Sequence, residues 1–171
     1  PHQSSAASDV YKRQLLTKGN ADLMIVSNAG KAVFFNEVDA RSMGRDTRGV
    51  KGITLDKDQK VISLLKPSNE SEILTVSENG YGKRSKVNDF RKTKRGAKGV
   101  IAMQTSDRNG SLISAKEVNV TDEVILITNK GMLVRTKVSE ISLIGRNTQG
   151  VRVIRLKEDE ALNGLALAID S

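Results

Sequence analysis

The sequence predicts an all-β protein of the β-propeller type, made of three consecutive four-stranded blades of about fifty residues each. Three observations carry this expectation. The segments DLMIVSNAG from Asp22, EILTVSENG from Glu72 and EVILITNKG from Glu123 align without gaps at spacings of 50 and 51. A glycine stands eight residues after each acidic start (Gly30, Gly80, Gly131) and a second one nineteen residues later (Gly49, Gly99, Gly150), each time followed by valine. An arginine precedes the second glycine by four residues in every copy (Arg45, Arg95, Arg146), so charge and turns fix one register.

Each element of the repeat has its own reason. The opening runs, such as Val124-Ile125-Leu126-Ile127, are short and β-branched, and the asparagine-containing turn ending in glycine supplies the positive φ of a tight hairpin. Val33-Phe34-Phe35 and Leu133-Val134-Arg135 then read as second strands. A polar, basic connection of about a dozen residues follows, long for a hairpin loop. A third strand is expected at the glycine-valine pair, where Val151-Arg152-Val153-Ile154 alternates with period two. After a charged turn such as Asp56-Lys57-Asp58, the fourth strand is expected at Val61–Leu65 and again at Leu112–Ala115. Pro67 falls between copies, where a linker belongs.

The expected organisation is a non-native or disordered leader over residues 1–14, a remnant of a preceding blade or a linker over 15–21, and blades at 22–70, 71–121 and 122–170. Three blades fall below the roughly four to eight that close a ring, so the chain reads as a piece of something longer.

Composition narrows the chemistry. There is no cysteine, which removes disulfides, thiolate zinc sites and cysteine nucleophiles and fits a reducing cytoplasm. One histidine, His2, leaves little room for histidine acid–base chemistry or a multi-histidine metal site. Aromatic residues are 3% of the chain and tryptophan is absent, which weakens any base-stacking platform. No apolar run approaches the ~18 residues of a membrane span.

Charge is the remaining signal. The chain carries 28 Lys+Arg against 20 Asp+Glu, a net +8. Residues 31–52, 81–102 and 132–153 hold +2, +7 and +3, which together make +12, so everything else nets −4. The same part of each repeat is therefore basic. In a radial array, equivalent loops fall on one rim and would join these windows into a positive band. The second window is densest, with Lys83, Arg84, Lys86, Arg91, Lys92, Lys94, Arg95 and Lys98 opposed only by Asp89.

Other constellations carry less. GRDTRGVK from Gly44 and GRNTQGVR from Gly145 have a glycine pair at P-loop spacing, but neither continues into Lys-Ser or Lys-Thr. Asp56-Lys57-Asp58 lacks the later ligands and the glycine of an EF-hand. Asp22, Glu72 and Glu123 occur once per repeat at strand starts, which is a structural position rather than a paired-carboxylate site. Tyr81, between Gly80 and Gly82, has no general base near it in sequence. No catalytic residue is assigned.

GRNTQGVRVIRL from Gly145, LVRTKVSEIS from Leu133, NGYGKRSKV from Asn79 and GRDTRGVKGITL from Gly44 resemble the C-terminal domain of the DNA gyrase A subunit, of the type IIA topoisomerases. The similarity runs from residue 22 to about 168 and follows the order of the family's last three blades; the A subunit of topoisomerase IV is the second choice. The resemblance implies a six-bladed β-pinwheel whose rim binds, bends and wraps duplex DNA in aid of ATP-dependent supercoiling. It also implies a bacterial, cytoplasmic, nucleoid-associated setting. The implied partners are double-stranded DNA, the gyrase B subunit, and the breakage–reunion domain at the N-terminus of gyrase A, with no membrane. No cofactor is implied for this fragment, since ATP and Mg act through other domains of the parent enzyme. Neither Tyr11 nor Tyr81 takes the strand-breaking role. The glycine- and arginine-rich box of the family's first blade lies upstream, and Lys94–Gly99 is the corresponding loop of a later blade.

The expected DNA-binding residues are Arg45, Arg48, Lys51, Lys83, Arg84, Arg91, Lys92, Lys94, Arg95, Lys98, Arg135, Arg146 and Arg152. Two other functions fit the same sequence less well. A propeller-type module could present the basic rim to an acidic protein partner, and an enzyme could act on anionic substrates, although scattered acids and scarce histidine oppose the latter.

Overall fold

A computed structural model describes residues 14–168; the expected leader lies outside the described residues except for Gln14, as do the last two residues of the third expected blade. Eleven strands are present among the described residues: β1 (Asp22–Ser27), β2 (Lys31–Asn36), β3 (Val61–Leu65), β4 (Glu72–Ser77), β5 (Tyr81–Lys86), β6 (Val100–Ile101), β7 (Leu112–Val118), β8 (Glu123–Thr128), β9 (Leu133–Lys137), β10 (Val151–Arg152) and β11 (Leu162–Ala168). They form three antiparallel sheets with orders β3-β1-β2-β6, β10-β5-β4-β7 and β11-β8-β9.

The hairpins fall where the turns predict. Asp22 pairs with Asn36, Glu72 with Lys86 and Glu123 with Lys137, so each acidic start faces the end of its own second strand. A 3-10 turn follows each hairpin, at Glu37–Asp39, Val87–Asp89 and Val138–Glu140.

One element departs from expectation. The strand at the glycine-valine pair does not join the sheet of its own repeat. Val100 pairs with Ala32 and Ile101 with Lys31, while Val151 pairs with Gly82 and Arg152 with Tyr81. The second and third repeats thus each lend a strand to the sheet before them, and repeats in sequence are offset from sheets in space. The third sheet accordingly has three strands among the described residues, and Val50 of the first repeat lies in no strand.

At Gly99 and Gly150 the recurring glycine serves this exchange, whereas Gly49 has the same left-handed backbone with no atom near a Cβ. Gly99 and Gly150 have φ of +91° and +80°, a left-handed conformation that side chains resist. A Cβ at Gly99 would sit 2.5 Å from the Ala32 carbonyl oxygen, and one at Gly150 would sit 2.9 Å from that of Gly82. Backbone meets backbone where one repeat enters the sheet of the other.

The cores lie between consecutive sheets. Met24, Phe34, Ile73, Phe90, Met103 and Leu112 fill the first interface; Leu74, Val76, Val124, Leu126, Ile141 and Leu162 fill the second. Strand β4 serves both, because alternate side chains point to opposite faces: Ile73 enters one core and Leu74 the other.

Candidate nucleic-acid interface

The long basic connections are held by backbone bonds to the sheet before them. In the loop after β5, Thr93 N donates to Phe34 O at 2.7 Å and Gly96 N to Gly52 O at 2.7 Å, and Ala97 O accepts from Thr54 N at 2.9 Å. In the loop after β9, Ile144 N donates to Arg84 O at 2.9 Å and Thr148 O accepts from Gln104 N at 2.9 Å. Each basic loop therefore rests on its predecessor.

The repeated arginine strengthens that seam. Arg95 donates from Nε to the Asp39 carbonyl at 2.8 Å and from Nη1 to the Lys51 carbonyl at 3.2 Å. Arg146 repeats the arrangement one blade on, from Nε to Asp89 O at 3.0 Å and from Nη1 to Ile101 O at 2.9 Å. A planar guanidinium suits two carbonyls at fixed spacing. The third member, Arg45, is exposed.

Two expected contact residues are corrected outright. Lys83 is fully buried: its Nζ donates to Gly145 O at 2.8 Å, to Thr148 Oγ1 at 3.0 Å and to Arg146 O. Burial, reinforced by the nearby Arg146 charge, brings its pKa down to about 8. Arg84 is buried as well, with Nε on Ile141 O at 2.7 Å and Nη1 on Glu72 at 2.7 and 3.1 Å. Both cations face the third blade because the loop after β9 covers β5, and neither presents its charge to solvent.

Two others are paired within or across blades. Arg135 reaches Glu123 at 2.7 Å from Nε, the same twelve-residue pairing as Arg84 with Glu72, but at a half-exposed position. In the first blade the arginine is replaced by Phe34, and Lys92 of the next loop pairs with Asp22 at 2.8 Å while lying 5.9 Å from the Phe34 ring centroid. The bond from Lys92, helped by Asn36, holds the Asp22 carboxyl below its ordinary range.

Arg48, Lys51, Arg91, Lys94 and Lys98 remain exposed on two adjacent loops. Lys98 lies 3.8 Å from Asp56, both largely exposed, a pair worth little in water. The seam of Arg95 with Asp39 and Lys51 joins these loops into one surface.

Arg152 is also exposed, but it sits elsewhere, at the hairpin end of β5. Its Nη2 donates to Tyr81 Oη at 3.0 Å, and its guanidinium lies 5.5 Å from the Tyr81 ring centroid. Arg108 joins it, with Nε 3.3 Å from the same oxygen and the guanidinium 5.1 Å from the ring. The two arginines, Arg152 foremost, lower the Tyr81 pKa. Arg108 was not among the expected residues; it stands alone in the turn SDRNG, and its neighbour on the ring comes from 44 positions away.

Antiparallel sheets repeated at fifty residues, exchanging strands between neighbours and presenting basic loops in series, define a β-propeller-type repeat domain. The DNA gyrase C-terminal domain, beta-propeller, family model matches residues 21–68, 71–119 and 122–168, and the chain belongs to that family. The DNA gyrase A subunit of Pseudomonas aeruginosa is 50% identical over 150 residues, covering 88% of this chain and 16% of that protein. Its Escherichia coli K12 counterpart is 47% identical over the same share of the chain and 17% of its own length. The chain thus spans about one-sixth of these bacterial relatives. Among solved structures, a DNA gyrase A C-terminal domain superposes with a TM-score of 0.80 at 30% identity, covering 88% of this chain and 51% of that one. The C-terminal domain of DNA topoisomerase IV gives 0.83 at 25% identity, covering 90% and 48%. Among the described residues, no helix is long and apolar enough to cross a membrane.

Proposed function

We infer that this region binds duplex DNA through its phosphates and bends it smoothly along a basic rim, as part of a bacterial DNA gyrase A protein. The observation that carries the reading is the seam at Arg95, which sets Arg48 and Lys51 on one loop beside Arg91, Lys94 and Lys98 on the next. Exposed cations on contiguous loops neutralise consecutive phosphates and release counterions, and they do so without reading bases. Arg45, exposed in the same loop as Arg48, would be a further contact. Wedge residues are scarce, since aromatic residues are 3% of the chain. Bending is therefore distributed, costing on the order of 1–6 kcal/mol for 40–90° over 20–30 bp, which several phosphate contacts offset.

In the complete enzyme this bent segment would assist ATP-dependent supercoiling in the cytoplasm, with strand breakage and ATP hydrolysis supplied by the rest of gyrase A and by gyrase B. Gyrase is favoured over topoisomerase IV by the family match and by the gyrase A relatives. The test is end-to-end fluorescence transfer on a short duplex. Transfer rises when this chain binds, and it rises less with the Arg48, Lys51, Arg91 and Lys94 to Gln variant. Binding without any change in transfer would refute bending; no binding at all would refute the assignment.

A further inference from the structure

The cluster at Tyr81 differs from the other partnered cations described above. Arg84 and Arg135 each face a glutamate, Lys92 faces Asp22, Lys83 is ringed by three oxygens, and Arg95 and Arg146 each hold two carbonyls. Arg108 and Arg152 share a single neutral phenol, and among the described residues no carboxylate lies within ion-pair distance of either. Two guanidinium groups converging on one oxygen repel each other, and an anion bridging them removes that repulsion.

The geometry is prepared for such an anion. Tyr81 is buried, 5% exposed, and fixed by the pairing of β5 with β10, in which it stands opposite Arg152. Its ring forms a rigid floor, and both arginines lie against it from exposed positions with further N–H donors unused. Planar guanidinium forks match the oxygens of a phosphate, which bears several acceptors at close spacing. The other repeats do not build this site. At the positions of Tyr81, Arg108 and Arg152 the first repeat has Lys31, Asp58 and Lys51 or Ile101, depending on which strand is followed, and the third has Met132 and Asp159.

We propose that Arg108 and Arg152 form a seat for one phosphate group on the floor of Tyr81. The site uses one residue from the loop of the second blade and one from the strand lent by the third, so its occupancy also fastens the two blades together. The phosphate is either a phosphodiester of bound duplex or a free phosphate ion. Only the former rests on the DNA reading.

The experiment follows the arginine Nε–Hε resonances of the full chain, labelled with nitrogen-15, during titration with sodium phosphate at constant ionic strength. Two resonances, identified by their loss in Arg108→Gln and in Arg152→Gln, should shift together and saturate with one dissociation constant. Tyr81→Phe should weaken that constant several-fold by removing the shared acceptor; both arginines are exposed, so their variants keep the test valid if Tyr81→Phe fails to fold. Shifts that grow without saturating, or that chloride reproduces, would overturn the proposal. A short duplex is then added. If it displaces phosphate, and the double variant lowers the salt slope of duplex binding by about 0.9, the occupant is a phosphodiester. Saturation by phosphate without competition from duplex sustains the seat for a free phosphate, whatever becomes of the rim.

Discussion

Arg146 Nη1 donates to the carbonyl oxygen of Ile101 at 2.9 Å across a blade boundary, and one repeat earlier Arg95 makes the same bond to Lys51. The arginine that marks the register in sequence is thus a clamp between repeats. In both copies its Nε and one Nη1 N–H are committed to the fold.

Removing that clamp has a defined consequence. Arg146→Ala strands the Asp89 and Ile101 carbonyls and should lower unfolding free energy by about 1–3 kcal/mol. Arg146→Lys should recover little, because an ammonium lacks the planar fork that places Nε and Nη1 on two carbonyls at this spacing. Urea denaturation of the three proteins measures both effects; full recovery by lysine would show that charge, not the fork, matters.

Lys83 predicts a pH dependence. Its folded pKa is about 8 against 10.5 for an ordinary lysine, so the folded state releases this proton first. Between those two values the unfolded chain holds more protons, and the contribution of Lys83 to stability rises with pH. The neutral amine keeps two N–H donors for its carbonyl partners. The difference in unfolding free energy between the unaltered chain and Lys83→Met should therefore grow from about pH 8 upward; a constant difference would contradict the depressed pKa. At neutral pH, Lys83→Met should still destabilise, by about 1–3 kcal/mol, through its orphaned acceptors.

The strand exchange rests on glycine. Gly99→Val and Gly150→Val force a branched side chain into left-handed backbone and against a carbonyl, and each should cost about 1–3 kcal/mol or more. Gly44→Ala is the control, since a Cβ there meets no atom within 4 Å. Thermal denaturation should separate the two classes; equal melting temperatures would mean that the exchange is absent.

Much of this architecture was legible in the chain. The fifty-residue period, the hairpins from Asp22, Glu72 and Glu123, and the basic loops follow from turn chemistry and branched apolar runs. The partner of the glycine-valine strand was not legible, because alternation identifies a strand without saying which sheet it joins. Lys83 and Arg84 looked like surface cations because β5 reads YGKRSK, with no apolar alternation to betray burial on both faces. The loop that covers them comes from 57 to 65 residues away. Arg108 carries no signal at all in sequence, since its meaning lies in the ring it shares with Arg152.

If the place of the cations, rather than net charge, holds the duplex, two variants of equal charge should differ. One variant changes Arg48, Lys51, Arg91 and Lys94 to Gln; the other changes Lys18, Lys60, Lys66 and Lys157, which are just as exposed but lie outside those loops. Duplex affinity measured across salt concentrations should fall sharply for the first, with the slope reduced by about 0.9 for each phosphate no longer neutralised, and stay close to the unaltered chain for the second. Equal losses in both would mean that net charge alone governs binding and that these loops are not the contact surface.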